Sequence, residues 1–166
     1  MNNHTKEEEI LLTLKKLDVI LRHCENVREA CELLGKRLIE RGEVEFGIQL
    51  IIHGRIHDLS KFDLYERTYL IGNDDEASLK MAIFKHRAAN KHHAEFWGDV
   101  DSVPRIYLAE MVCDFKARSN EQGTNLKDFI KEQIEKWGIS TSGKTYKIIK
   151  EFVDLLVDNS FVKLEK

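Results

Sequence analysis

Ile51-Ile52-His53-Gly54-Arg55-Ile56-His57-Asp58-Leu59-Ser60-Lys61-Phe62 ends an apolar run on an adjacent histidine and aspartate, with a lysine three residues beyond the aspartate. Imidazole nitrogen beside carboxylate oxygen suits Zn, Mn, Fe, Ni or Co better than Ca. A His-Asp pair alone is more often an ordinary surface feature. The reading therefore depends on what the rest of the chain places around it.

Outward from this stretch the apolar spacing is helical. Thr5-x-x-Glu8 is a capping box, after which Ile10, Leu14, Leu17, Leu21 and Cys24 fall on one face at steps of three and four. The pattern continues to Leu38 as one long helix or as two joined near His23, and Gly42 ends it. A second helix carries Phe46, Leu50, Ile51 and Ile52 into His57-Asp58. A short third one covers 62–70, and Gly72-Asn73-Asp74-Asp75 is a turn whose Asp75 caps the next helix, which runs through Leu79, Ile83 and His86. Residues 92–101 lack a period and read as a loop. Pro104 marks the start of a helix through Ile106, Met111 and Phe115. Thr124 caps a further helix that Gly138 ends, and the last helix spans Tyr146–Val157. No stretch alternates long enough to be a strand. The fold class is all-α, with about six to seven helices in a single domain, residues 1–166.

The bulk numbers agree with that reading. The 166 residues suffice for one core, and 42% hydrophobic with 33% charged residues is ordinary for a globular chain. No apolar run approaches the ~20 residues of a membrane span, and the polar, acidic start is neither a signal nor a transit peptide. Three cysteines without CxxC spacing argue for buried thiols in a reducing cytoplasm rather than for disulfides. A net charge of −3 is not the footprint of a general nucleic-acid binder.

Other ionisable groups sit where a helix should be apolar. His23 lies among Ile20, Leu21, Cys24 and Val27. His86, Asn90 and His93 share one face if their helix continues, which would send His92 elsewhere unless the helix ends first. Asp114 interrupts the apolar segment Leu108–Phe115 and needs a charged partner or a metal if buried; Glu110 is one turn earlier on the same face. His53, four residues before His57, is a candidate supporting group.

The order His, His-Asp, His, His-His, Asp resembles the HD-domain superfamily of metal-dependent phosphohydrolases. His23-x-x-x-Val27-x-x-Ala30 looks like that family's first-histidine helix. Ile56–Phe62 looks like its His-Asp-x-x-Lys segment, and Cys113-Asp114-Phe115-Lys116-Ala117-Arg118 looks like its final aspartate with trailing basic residues. The segment His86–Trp97 looks like a small branch of phage and bacterial proteins. The likeness covers about residues 20–120 and leaves the C-terminal helices, 124–158, outside it.

The resemblance implies one or two divalent transition-metal ions. His23, His57, Asp58 and Asp114 would hold the first. His86 with His92, His93 or both would hold the second, bridged by Asp58; the short gap between His86 and His92 leaves that choice open. It also implies metal-assisted hydrolysis, in which a metal-bound hydroxide attacks phosphorus. Asp58 and Lys61 would be catalytic, and Lys61, Arg87, Lys91 and Arg118 would meet the phosphate of a small anionic, nucleotide-type substrate. Arg55 and Lys116 also lie within five residues of a proposed ligand. Two other expectations fit the same residues: a di-iron oxygenase on this fold, and a non-catalytic module in which metal ties helices around a nucleotide or a protein. The last helix, Tyr146–Val157, is apolar enough to offer a homodimer contact.

Gly138-Ile139-Ser140-Thr141-Ser142-Gly143-Lys144-Thr145 fits the phosphate-loop string, but an amphipathic helix precedes it where a buried strand is required, and 21 residues follow. It reads as a helix–helix connection, with Ser140 or Ser142 as cap. Phe96-Trp97 reads as a hydrophobic plug or as a lid on the site.

Overall fold

Thr5 opens the first helix as a capping box: its hydroxyl accepts from the Glu8 amide at 3.3 Å, and the Glu8 carboxylate accepts from the Thr5 amide at 2.7 Å. The computed structural model describes residues 5–71 and 75–157; His4, the expected turn residues Gly72-Asn73-Asp74 and the chain beyond 157 lie outside them. The fold is all-α. Its helices are α1 (Lys6–Glu40), α2 (Val44–Ile56), α3 (Leu64–Leu70), α4 (Glu76–Ala89), α5 (Ala94–Trp97), α6 (Arg105–Glu121), α7 (Leu126–Trp137) and α8 (Lys144–Val157), with 3-10 turns at Leu59–Phe62 and Val100–Ser102 and no strand among the described residues.

The first helical pattern is one unbroken helix of 35 residues. The helix beyond the expected count is α5, which with the turn at 100–102 occupies the segment expected as loop. It is a single turn, too short for a helical period to register. The cap of α7 is Asn125 rather than Thr124, its side chain accepting from the Lys127 amide at 2.8 Å. Gly138 closes α7 in a left-handed conformation, φ 63°, and α8 starts at Lys144, so the phosphate-loop string is a helix–helix connection.

α2 returns antiparallel along α1, and glycine sets their separation. A Cβ on Gly47 would lie 2.5 Å from the Gly35 carbonyl oxygen, and one on Gly54 would lie 2.5 Å from the Cys31 Cβ. The close backbone approach brings the end of α2, with His57 and Asp58, against the middle of α1, with His23. α6 lies on the other side; its side chains from Leu108 to Phe115 are all buried, so it is apolar nearly all round apart from Glu110 and Asp114. α7 and α8 cover it with one apolar face each. Ile149, Phe152, Val153, Leu155 and Leu156 of α8 belong to this core, so the face expected to offer a dimer contact is used within the chain. Arg105 ties the start of α6 to the α1–α2 connection and to α8: its guanidinium pairs with Glu43 and lies 4.4 Å and 5.0 Å from the Phe46 and Phe152 ring centroids. No helix among the described residues is long and apolar enough to cross a membrane.

Because the α1–α2 distance is set by absent side chains, Gly47→Ala and Gly54→Ala should each destabilise the fold by about 1–3 kcal/mol, the usual cost of overpacking. Thermal unfolding followed by circular dichroism should show a melting point lower by several degrees. An unchanged melting point in both variants would mean that the helices are not held at this distance.

Candidate metal centre

Five elements deliver the predicted residues to one place. α1 supplies His23, the end of α2 His57, α4 His86, the following loop His92 and His93, and α6 Asp114. Asp58 sits in the middle. Its backbone is left-handed, φ 59° and ψ 16°, the single non-glycine residue with positive φ among those described. Aspartate tolerates this conformation better than most residues. It lets His57 and Asp58, neighbours in sequence, direct their side chains to the same centre.

The two oxygens of Asp58 face different histidines. Oδ2 is 3.6 Å from His23 Nε2 and 3.4 Å from His57 Nε2. Oδ1 is 3.0 Å from His86 Nε2 and 3.3 Å from His92 Nε2. His23, His57 and Asp58 form one compact donor group, and Asp58, His86, His92 and His93 form another. Asp114 Oδ1 is 3.1 Å from His23 Nε2, beside the first group. Both His92 and His93 reach the centre because α4 stops at Ala89: Asn90 caps it, donating from its side chain to the His86 carbonyl at 2.8 Å, and the chain turns inward.

Carboxylates behind the histidines fix their orientation. His23 Nδ1–H donates to Glu121 at 2.9 Å and His86 Nδ1–H to Glu66 at 2.7 Å. Glu110 accepts from His57 at 3.0 Å and from His53 at 2.9 Å, and lies 3.4 Å from His92 Nδ1. The bonds to His23, His57 and His86 engage Nδ1 and leave Nε2 pointing inward. The sequence flagged Glu110 and His53 but not Glu66 or Glu121. Glu121 was within reach, since it lies two helical turns after Asp114; Glu66 has no local signal.

Burial raises the energy of the charged carboxylates, but the surrounding imidazoles outweigh it. Asp58 is held well below the usual carboxylate range by His57, His86 and His92, Glu110 is lowered to about 2 by His53 and His57, and Asp114 is lowered by His23 and His57. Burial and the neighbouring His92 push His93 down to about 2, so it is a neutral imidazole with a free lone pair. His57 is raised despite its burial, by Asp58 and Glu110.

The donor set fits a divalent ion. The Nε2 atoms of His23, His57, His86, His92 and His93, and Oδ1 of Asp58 and of Asp114, are buried without a hydrogen-bond partner. Stranded buried polar atoms are rare, and each costs about 1–3 kcal/mol. Seven of them facing one centre form a donor set that a divalent cation would satisfy, with Asp58 shared between the two donor groups.

The centre lies at the base of a cleft of about 680 Å³. Lys61, Arg87 and Arg118 line it, and so do Lys16 and Lys136, which the sequence did not single out. Lys61 is buried and its ammonium pairs with Asp58 Oδ2. Lys91 lies elsewhere, its ammonium 5.9 Å over the Tyr107 ring. Arg55 pairs with Glu32. Trp97 is a plug rather than a lid: its indole N–H donates to the Lys91 carbonyl at 2.8 Å and its ring packs on Tyr107. The aromatic wall of the cleft comes instead from Phe115, Phe129 and Trp137, with ring centroids 5.5 Å and 5.6 Å from Phe115.

Residues 13–157 match the model of a family of unknown function (DUF5662), and the chain belongs to that family. No curated protein and no solved structure matches it.

Removing the orienting carboxylate should loosen the centre without unfolding the chain. Glu110→Gln should weaken Mn²⁺ binding about 10–100-fold, the usual effect of losing such a partner, as read by isothermal titration. Unchanged affinity would separate Glu110 from the metal-binding role.

Proposed function

We propose that this member of the DUF5662 family is a metal-dependent phosphohydrolase of HD-like design, acting on a nucleotide-type phosphoester. The observation that carries the reading is the convergence of five imidazole nitrogens on a buried, bridging aspartate at the base of a cleft with cationic walls. Bound ions would supply Lewis acidity and a water activated at neutral pH.

The chain's own groups divide the remaining work. Asp58 holds the two donor groups in register. Lys61 pairs with Asp58 Oδ2 on the cleft wall, where its ammonium would meet the phosphoryl oxygens of a bound substrate. Arg118, 3.9 Å from Asp114 and tied to Glu121 at 3.3 Å, holds a guanidinium at the same end of the cleft. Arg87 is tethered less tightly, 3.5 Å from Glu95. The same cleft is lined by the contiguous rings of Phe115, Phe129 and Trp137, and by Gln133. A planar ring with a hydrogen-bonding edge suits that wall, and a cleft of this volume accommodates a nucleoside monophosphate. Three free thiols favour a reducing, cytoplasmic setting.

The three-histidine set of His86, His92 and His93 favours a second reading, oxidation at a di-iron pair. Purified protein with bound iron and an oxygen-dependent spectrum, inactive on every phosphoester, would select it.

Under the main reading, protein loaded with Mn²⁺ or Ni²⁺ should release phosphate from a nucleoside monophosphate panel, and a chelator should abolish the release. His57→Ala and Asp58→Ala should lower kcat/KM by about a hundredfold or more, and should lower the metal content with it. Trp137→Ala should raise KM for the nucleotide about tenfold, the worth of one stacked ring, with far less effect on glycerol phosphate. Full metal content in both site variants would overturn the site assignment.

A further inference from the structure

Helix α2 is apolar on both of its faces. The inner face is spent on the fold: Leu50 is fully buried, and Gly47 and Gly54 lie against α1. On the outer face Val44, Ile48, Ile52 and Ile56, spaced four apart, are 50%, 43%, 53% and 57% exposed. A helix that is apolar all round is normally covered on all sides. Four β-branched side chains in one open row therefore call for a partner.

The charges within this row identify the partner as a second copy of the chain. Glu45 and Arg55 lie on the same outer face, and their side chains are open to solvent; the Arg55 side chain is 58% exposed even with its bond to Glu32. A two-fold axis crossing the helix level with Leu50 sets Val44 against Ile56 of the second copy and Ile48 against Ile52. The same axis sets Glu45 against Arg55 at both ends. Apolar and ionic pairs are thus satisfied by one antiparallel register, the self-complementarity that an isologous contact requires. A parallel pairing would set Glu45 against Glu45 and Arg55 against Arg55, which repel. Rows of side chains four apart are also the ridges that interdigitate in the commonest class of helix crossing.

We propose that the chain forms a two-fold dimer through the outer face of α2, in antiparallel register centred on Leu50. This leaves the metal centre independent, since the histidine cluster lies on the inner side of the same helix.

Light scattering coupled to size exclusion on the full chain tests it. The expected mass is twice the 19.4 kDa of one chain. Ile52→Glu, at an exposed position, should give a monomer of unchanged helical content. Glu45→Arg and Arg55→Glu should each raise the dimer dissociation constant about tenfold or more by setting like charges together, and the double exchange Glu45→Arg with Arg55→Glu should restore most of the loss. A monomer at every concentration overturns the proposal, as does a dimer that survives Ile52→Glu or a double exchange no better than the single ones. A monomer with strong hydrogen-exchange protection along the outer face would assign the cover to another segment of the same chain, and would also overturn it.

Discussion

A buried carboxylate surrounded by imidazoles is the constraint on which this structure turns. Asp58 has lost its water, and in exchange it has four histidines and one lysine within reach. Burying a charge costs several kcal/mol unless partners compensate it. Lys61 and a raised His57 supply part of the compensation. The inward-facing nitrogen and oxygen atoms left without a hydrogen bond are the donor types that a divalent cation would take. Glu66, Glu110 and Glu121 set their direction, because each holds the Nδ1 of an imidazole so that its Nε2 faces the centre.

The rest of the fold can be read as the means of holding that centre. Glycines at the α1–α2 contact let two backbones approach closely enough for His23 to stand beside His57. α6 carries Glu110, Asp114 and Glu121 along one face at helical spacing, so that one rigid element supplies a donor and two orienting groups. α7 and α8 bury the other sides of α6, and α7 adds Phe129 and Trp137 to the aromatic wall of the cleft. Three of the seven donors, His23, His86 and Asp114, project from helices, and the other four, His57, Asp58, His92 and His93, sit at or just beyond helix ends, where packed helices fix the backbone on either side.

Much of this was legible in the sequence, because it is local. Helical period, the Thr5 capping box and the C-cap at Gly138 follow from spacing within a turn or two. The ordered histidines and aspartates could be assembled without coordinates, because ionisable residues on apolar helix faces stand out one at a time. The phosphate-loop string was recognised as a connection because its flanks are helical. Other features depend on long-range geometry. The choice between His92 and His93 depends on where α4 ends, and the Asn90 cap that ends it has no strong local signature. Glu66 meets His86 from a different helix, a pairing that no spacing reports. The cap at Asn125 competes with a chemically similar Thr124 one residue away. That the apolar face of α8 packs into the core of its own chain was not legible, because an amphipathic face reads the same whether it covers its own core or a second chain.

The central claim is that the Asp58 centre holds divalent ions through inward-facing imidazoles. Anomalous scattering from crystals grown with Mn²⁺ tests it most directly. The account predicts one or two anomalous peaks at coordination distance, about 2.0–2.2 Å, from the Asp58 carboxylate and from Nε2 atoms of His23, His57 or His86. Peaks only at surface carboxylates, with the histidine nitrogens bonded to water or to one another, would contradict it.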